Sequence, residues 1–366
     1  MGFWRKQQIS FFLTSKCNLA CYYCYIPKIE IDPKDQVIDI EFARAGLRDF
    51  FGSNPSRTIR FFSAGEPTLA FEQMVKITEM AREMAGSALR VELETNGYFE
   101  GEVANWIEKN VDILWISCDG TPEIQDAQRP TCGGKPSSGI VLENVRRYAK
   151  CSNIQFGVRA TISGENLDKQ VNLIEFFNKL GVKNVAASPT YYSYVNPNVK
   201  KTPSLVEFAE HFVPAFYKAQ KLGMFYQTLL IVNFDEEVDI YCQACIPCPR
   251  LTTDGFVSCC DWACFGPKYL PGPLQECIYG HFDETTGKII YDQEKIERIR
   301  QRNVFYLSQN NCKSCKALRH CAGGCMGKMI AETGNMYKAT SDWCAAIRYL
   351  FDKLPVKKGI FPYIHP

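Results

Sequence analysis

QQISFFLTSKCNLACYYC, residues 7–24, is an apolar run that ends in three cysteines, Cys17, Cys21 and Cys24, spaced C-x3-C-x2-C. The apolar and aromatic residues of 7–13 predict a buried strand, so the thiols follow directly on a strand end. The pattern continues outward along the chain. Strand-like runs at 58–64, 89–95, 112–117, 154–162 and 183–189 alternate with helix-like segments around 37–51, 68–85, 101–110, 139–150, 166–180 and 204–222. Six βα units in succession predict parallel strands with helices packed outside, and right-handed crossovers would curl them into a partial barrel. A flat doubly wound sheet is the alternative that periodicity leaves open.

The positions of the unusual residues favour an α/β partial (β/α)6 TIM-like barrel. The cysteine run follows the first strand, AGEPT (64–68) the second, TNG (95–97) the third, SCDG (117–120) the fourth and SPT (188–190) the sixth. In parallel α/β barrels the C-terminal strand ends are where loops converge on a ligand. Gly97 and Gly120 have a second reading as tight βα turns.

The chain has 366 residues, 46% hydrophobic and 13% aromatic, enough for a sizeable core and two domains. With 42 Lys and Arg against 40 Asp and Glu, a net charge of +2 gives no electrostatic reason to expect nucleic acid or an anionic membrane as partner. No apolar run approaches the roughly 20 residues that span a bilayer, and no signal peptide is recognisable, so a cytoplasmic location is expected. The 18 cysteines fall as three near the start, three between Cys118 and Cys151, and twelve from Cys242 to Cys344. In a reducing compartment that many thiols point to metal rather than to disulfides. The expected division is 1–236 for the barrel and 237–366 for a cysteine-rich domain.

Cys17-x3-Cys21-x2-Cys24, with Tyr23 before the third cysteine and Ala64-Gly65-Glu66-Pro67 after the second strand, resembles the radical S-adenosylmethionine (radical SAM) superfamily. The resemblance implies three thiolates holding a [4Fe-4S] cluster whose fourth iron is bound by the amine and carboxylate of S-adenosylmethionine (SAM). Catalytic metal sites leave a position open by the same logic. It also implies that the backbone of Ala64, Gly65 and Glu66 meets the methionine amine, although Ala64 stands where the family usually has glycine. Asn96 and Ser117 would contact the nucleoside or the methionyl group, and Tyr23 would lie near adenine. Arg159 would clamp the SAM carboxylate with two donors, with a structural arginine as the alternative.

Cys312-x2-Cys315-x5-Cys321-x3-Cys325, Cys344 eighteen residues later, and Cys245-x9-Gly255-x4-Cys260 resemble the SPASM extension of some radical SAM enzymes. This implies two auxiliary [4Fe-4S] clusters, making three in all. The outer would be held by Cys312, Cys315, Cys321 and Cys344. The inner would be held by Cys325, Cys260 and two of Cys242, Cys245 and Cys248, with Cys245 and Cys242 preferred. Two zinc sites are the alternative. Seven cysteines then have no ligand role.

Asp261, directly after Cys260 in TTDGFVSCCDWA, and the segment CKSCKALRHCAGGC resemble the anaerobic sulfatase-maturating enzymes, in which an aspartate at that place acts as general base. The implied reaction is hydrogen removal by a 5′-deoxyadenosyl radical, with Asp261 taking a proton and the auxiliary clusters an electron. Against that pattern, SCDGTPEIQDAQRP has Gln125 before Asp126 where a His-Asp is usual, with Arg129 retained. Only 16 residues precede Cys17, too few for the leader-binding domain of many peptide-crosslinking relatives. A separate delivery protein, or a substrate that needs no leader, is therefore expected. The expected partners are a peptide or protein substrate and a low-potential electron donor such as ferredoxin or flavodoxin. The alternatives are radical oxidation of a small metabolite and a non-catalytic zinc or iron-sulfur protein.

Overall fold

The computed structural model describes residues 7–26, 29–62, 64–191, 202–270, 272–310 and 312–355. Residues 1 and 366, the outer limits expected for the two domains, lie outside them. Seven parallel strands run β1 (Ile9–Phe12), β2 (Thr58–Phe62), β3 (Arg90–Thr95), β4 (Ile113–Ser117), β5 (Gln155–Ile162), β6 (Asn184–Pro189) and β7 (Phe225–Gln227). Between and after them lie α1 (Ile40–Ser53), α2 (Phe71–Ala85), α3 (Gly101–Asn110), α4 (Pro122–Gln128), α5 (Ser138–Tyr148), α6 (Gln170–Lys179) and α7 (Leu205–Lys221). The six expected βα units are all present. The short β7 and the two-turn α4 were not visible as periodic segments, because three and seven residues carry too little pattern to read.

The sheet does not stop at the expected domain boundary. β8 (Arg250–Leu251) pairs parallel with β1, and β9 (Phe256–Ser258), β10 (Ile278–Asp283) and β11 (Lys288–Tyr291) continue as an antiparallel meander. The C-terminal helices are α8 (Gln293–Arg300), α9 (Val304–Gln309), α10 (Leu318–Cys321), α11 (Met326–Thr333) and α12 (Ser341–Lys353). α12 packs along α7, and Asp342 at its start accepts from Leu205 N at 3.0 Å. Among the described residues no helix is long and apolar enough to cross a membrane.

Strand alternation sorts the side chains. Phe11, Phe61, Leu93, Ile116, Val158 and Val185 join the main core under the helices. Their neighbours Ser10, Arg60, Glu92, Glu94, Trp115 and Arg159 therefore turn into the barrel lumen. A charged lumen is costly unless its groups pair, so it marks where packing has been given up for something else.

Candidate active site at the strand ends

The three-thiol loop is pinned from two sides. After β2, Gly65 N donates to Thr14 O at 3.0 Å and Glu66 N to Lys16 O at 2.7 Å. A Cβ on Gly65 would stand 1.9 Å from Lys16 O, so only glycine permits this approach. After α4, Ala20 N donates to Pro130 O at 2.8 Å and Cys132 N to Asn18 O at 2.9 Å. Cys17 is exposed, Cys21 and Cys24 partly so. Although Cys17 is exposed as a residue, desolvation of its sulfur by the surrounding loops pushes the thiol up to about 12, and burial pushes that of Cys21 to about 11, so ligation must displace protons. The thiol of Cys132 donates to Cys17 O at 3.2 Å.

Glu66 is 1% exposed and its side chain faces protein on every side. It accepts from Thr68 N and Oγ1 (3.1 and 2.8 Å), Thr95 Oγ1 (2.6 Å) and Asn96 N (2.7 Å). Burial raises its pKa and these donors oppose the rise. Its carboxylate thus joins the loops after β2 and β3, leaving backbone, with Ala64 and Gly65, as what this segment offers a ligand. The Ala64 methyl sits in a small apolar cluster with Phe12, Ile31 and Cys264, which explains how it is accommodated. Asn96 Nδ2 donates to Asn18 Oδ1 at 2.7 Å and lies 3.8 Å from Cys17 Sγ. Gly97 follows with φ 76°, so the turn reading holds there too.

Tyr23 belongs to a buried ion-pair group that the sequence pattern did not reveal. Its hydroxyl hydrogen-bonds Asp119 Oδ2, and its ring carries the Arg129 guanidinium at 5.3 Å. Arg129 Nε donates to Asp119 Oδ2 at 2.9 Å, Nη2 to Thr161 Oγ1 at 3.2 Å, and Nη1 lies 4.0 Å from Cys21 Sγ. Gln125 accepts from Asp119 N at 2.9 Å, and Asp126 caps α5 through Ser137 N and Ser138 N. The departures from the His-Asp pattern are thus structural, and Arg129 is the residue that faces the thiols. Ser117 ends β4 opposite Arg159 of β5. Arg159 pairs with Glu94 at 3.0 Å and lies 5.4 Å from the Trp115 ring, with 30% of its side chain exposed.

Asp261 reaches the barrel from the C-terminal region. Arg60 donates to both its oxygens, and Arg250 Nε to Oδ1 at 2.6 Å. Despite burial, these two guanidiniums hold its carboxyl well below the usual range, so it is ionised and by itself a weak proton acceptor. Its neighbour Trp262 packs on Tyr25, the residue after Cys24, with ring centroids 5.4 Å apart. That contact brings the segment carrying Asp261 against the three-thiol loop.

The later cysteines fall into two groups. Burial raises Cys312, Cys321 and Cys344. Cys312 then feels Cys344 and Cys315, Cys321 feels all three others, and Cys344 feels Cys315. In the second group the Cys242 thiol donates to Cys245 and feels Cys325 and Cys260. That hydrogen bond and the Arg302 charge bring Cys245 down to about 6 against burial. Arg302 lies 3.7 Å from Cys245 Sγ and donates to the Gly323 and Gly324 carbonyls at 2.8 and 2.9 Å, tying the two halves of the set together. Cys248 lies apart, against Gln8, Arg250 and Cys259. Among the described residues no three Cys, His, Asp or Glu side chains gather closely enough for a single metal ion. All-thiol sets spread around a shared space suit iron-sulfur clusters, whose thiolates bind separate irons.

Residues 11–177 match the radical SAM superfamily. The chain is an enzyme that carries a radical SAM domain. It is 23% identical over 337 residues to the cysteine-type anaerobic sulfatase-maturating enzyme of Clostridium perfringens, covering 85% of this chain and 86% of that one. The solved structure of native anSMEcpe with bound AdoMet and Kp18Cys peptide superposes with a TM-score of 0.73 at 16% identity, covering 94% and 96% of the two chains. Streptococcus suis SuiB bound to precursor peptide SuiA gives 0.65 at 14% identity, covering 93% and 76%. These two likenesses show the fold of the radical SAM domain and of the cysteine-rich region beyond it.

Proposed function

We propose that this enzyme oxidatively modifies a side chain of a peptide or protein. In this reading Cys17, Cys21 and Cys24 hold a SAM-binding [4Fe-4S] cluster, the outer and inner cysteine groups hold two more, and the boundary near 236 separates the two parts. The bound cluster and SAM would supply a carbon radical that removes hydrogen from substrate. The chain's own residues shape and shield the place where this happens. Gly65 and Glu66 fix the loops after β2 and β3, Asn96 and Ser117 line the nucleoside side, and Arg159 offers donors to a carboxylate. Tyr23 and Arg129 wall the Cys21 side, and Asp261 accepts a hydrogen bond from a substrate thiol or hydroxyl.

The observation that carries the reading is the Tyr25–Trp262 contact, which sets Asp261 beside the three-thiol loop. Support for a peptide comes from relatives named as sulfatase maturases and from neighbours solved with peptides. A ferredoxin or flavodoxin as electron donor, a separate delivery protein and a cytoplasmic location complete the proposal, in keeping with 18 free thiols. The test is anaerobic reconstitution with iron and sulfide, then incubation with SAM, reductant and a panel of Cys- or Ser-containing peptides and small metabolites. Mass spectrometry should find a peptide losing hydrogen in step with 5′-deoxyadenosine. Oxidation of metabolites alone would overturn the peptide assignment.

A further inference from the structure

Below Asp261, the lumen holds a carboxyl that the reading so far does not use. Glu92 on β3 is 1% exposed, and among the described residues neither of its oxygens has a hydrogen-bond partner. An unpaired buried carboxylate is among the most expensive groups a protein can keep. Three more lumen-side polar atoms, Ser10 Oγ, Trp115 Nε1 and Gln155 Oε1, are buried in the same way. Polar atoms from β1, β3, β4 and β5 that face one lumen without protein partners are groups that internal water satisfies.

The groups facing Glu92 are Arg60 on β2, Glu94 on its own strand, Arg159 on β5 and Asp261 from beyond β9. Arg250, which shares Asp261 with Arg60, completes three guanidiniums. Glu94 and Asp261 are committed to them: Glu94 by Arg60 and Arg159, Asp261 by Arg60 and Arg250. Both Asp261 oxygens already accept from guanidiniums. Glu92 has no such partner, and burial pushes its carboxyl up to about 7, with Arg60 the main opposing influence.

We propose that Glu92 holds the proton that oxidation of the substrate side chain releases. The proton passes Asp261 to Glu92 through the lumen; a substrate S–H or O–H bond breaks, a Glu92 O–H bond forms, and no electron moves in this step. Glu92 is thus a positioning residue for the proton rather than a group that touches substrate. The inference rests on the reading of the site as one that oxidises a side chain bearing such a bond.

Two measurements on Glu92→Gln test it. In the reconstituted enzyme, with the peptide of the panel oxidised fastest, product formed per 5′-deoxyadenosine should fall about tenfold or more, with KM unchanged and the pH dependence near 7 abolished. Glu92→Asp should restore part of it. Separately, thermal melts read the proton on Glu92 itself. Its folded pKa lies above the ordinary 4.5, so its contribution to stability is present below 4.5 and lost as pH rises through about 7. The melting temperature of Glu92→Gln should therefore gain on the parent across that interval and run level above it. A constant gap, or a parent-like product ratio from pH 6 to 8.5, overturns the proposal. If the parent oxidises no peptide, the functional reading fails instead, and the melts still decide whether Glu92 binds the proton.

Discussion

Arg60 on β2 holds both oxygens of Asp261, 201 residues later in the chain, at 3.0 and 3.1 Å. One guanidinium therefore sews the cysteine-rich region to the barrel strands, and the ring of the next residue, Trp262, packs on Tyr25 of the thiol loop.

Replacing that carboxylate should separate its two duties. In Asp261→Asn an amide NH2 would face the N–H groups of Arg60 and Arg250, and two cations would lose their common partner. The expected cost is about 3 kcal/mol, read as a lowered denaturation midpoint. SAM cleavage should persist while product per 5′-deoxyadenosine collapses. Product formation at the parental rate would show that Asp261 serves architecture alone.

Asp119 is wholly buried and pairs with Arg129. Arg129→Leu would remove the buried counter-ion and leave only the Tyr23 hydroxyl and Thr161 N as donors to Asp119, so the variant should lose about 3–5 kcal/mol, whereas Asp119→Asn with Arg129→Leu should recover part of the loss. Equilibrium unfolding of the two variants and the parent measures this. Arg129→Lys is not conservative here, because an ammonium cannot reach Asp119 and Thr161 in the planar fork that guanidinium provides.

The six βα units and the strand-end loops were legible because each carries ten or more residues of periodic pattern or a punctuating glycine. The polar lumen was not. Arg60, Glu92 and Glu94 alternate with core residues along their strands and read locally as a half-exposed surface; only the curl of the sheet and the approach of Asp261 turn that face inward. Asp119 and Arg129 escaped for a related reason: their pairing crosses from the β4 loop to the end of α4, a short helix with no visible period. Asp261 was legible in position, next to Cys260, but not in environment, since its two arginines come from β2 and β8.

Gly65 should be irreplaceable for geometric reasons. A methyl group 1.9 Å from Lys16 O forces the loops apart, at a cost of about 1–3 kcal/mol, and it moves Lys16, the residue before Cys17. Gly65→Ala should fold but bind less iron at the three-thiol site, seen as a weakened electron paramagnetic resonance response to SAM. Gly52, with nothing within 4 Å of its Cβ position, is the control: Gly52→Ala should leave the response intact.

The cysteine groups give a sharp chemical contrast between residues three and six apart in sequence. Cys242 donates to Cys245 and faces Cys325 and Cys260, whereas Cys248 is buried against Gln8, Arg250 and Cys259. If the inner group holds a cluster, Cys242→Ala with Cys245→Ala should remove one cluster's share of iron and sulfide after reconstitution. Cys248→Ala deletes only a buried sulfur and should keep the full complement, with a packing cost of about 1 kcal/mol in a thermal melt. Because Arg302 leans on Cys245 and on the Gly323 and Gly324 carbonyls, Arg302→Leu should mimic the double variant. It strips a cation that favours the Cys245 thiolate and unties the Gly323–Gly324 turn after α10 from the inner group. Full iron in Cys242→Ala/Cys245→Ala together with loss in Cys248→Ala would reverse the ligand assignment.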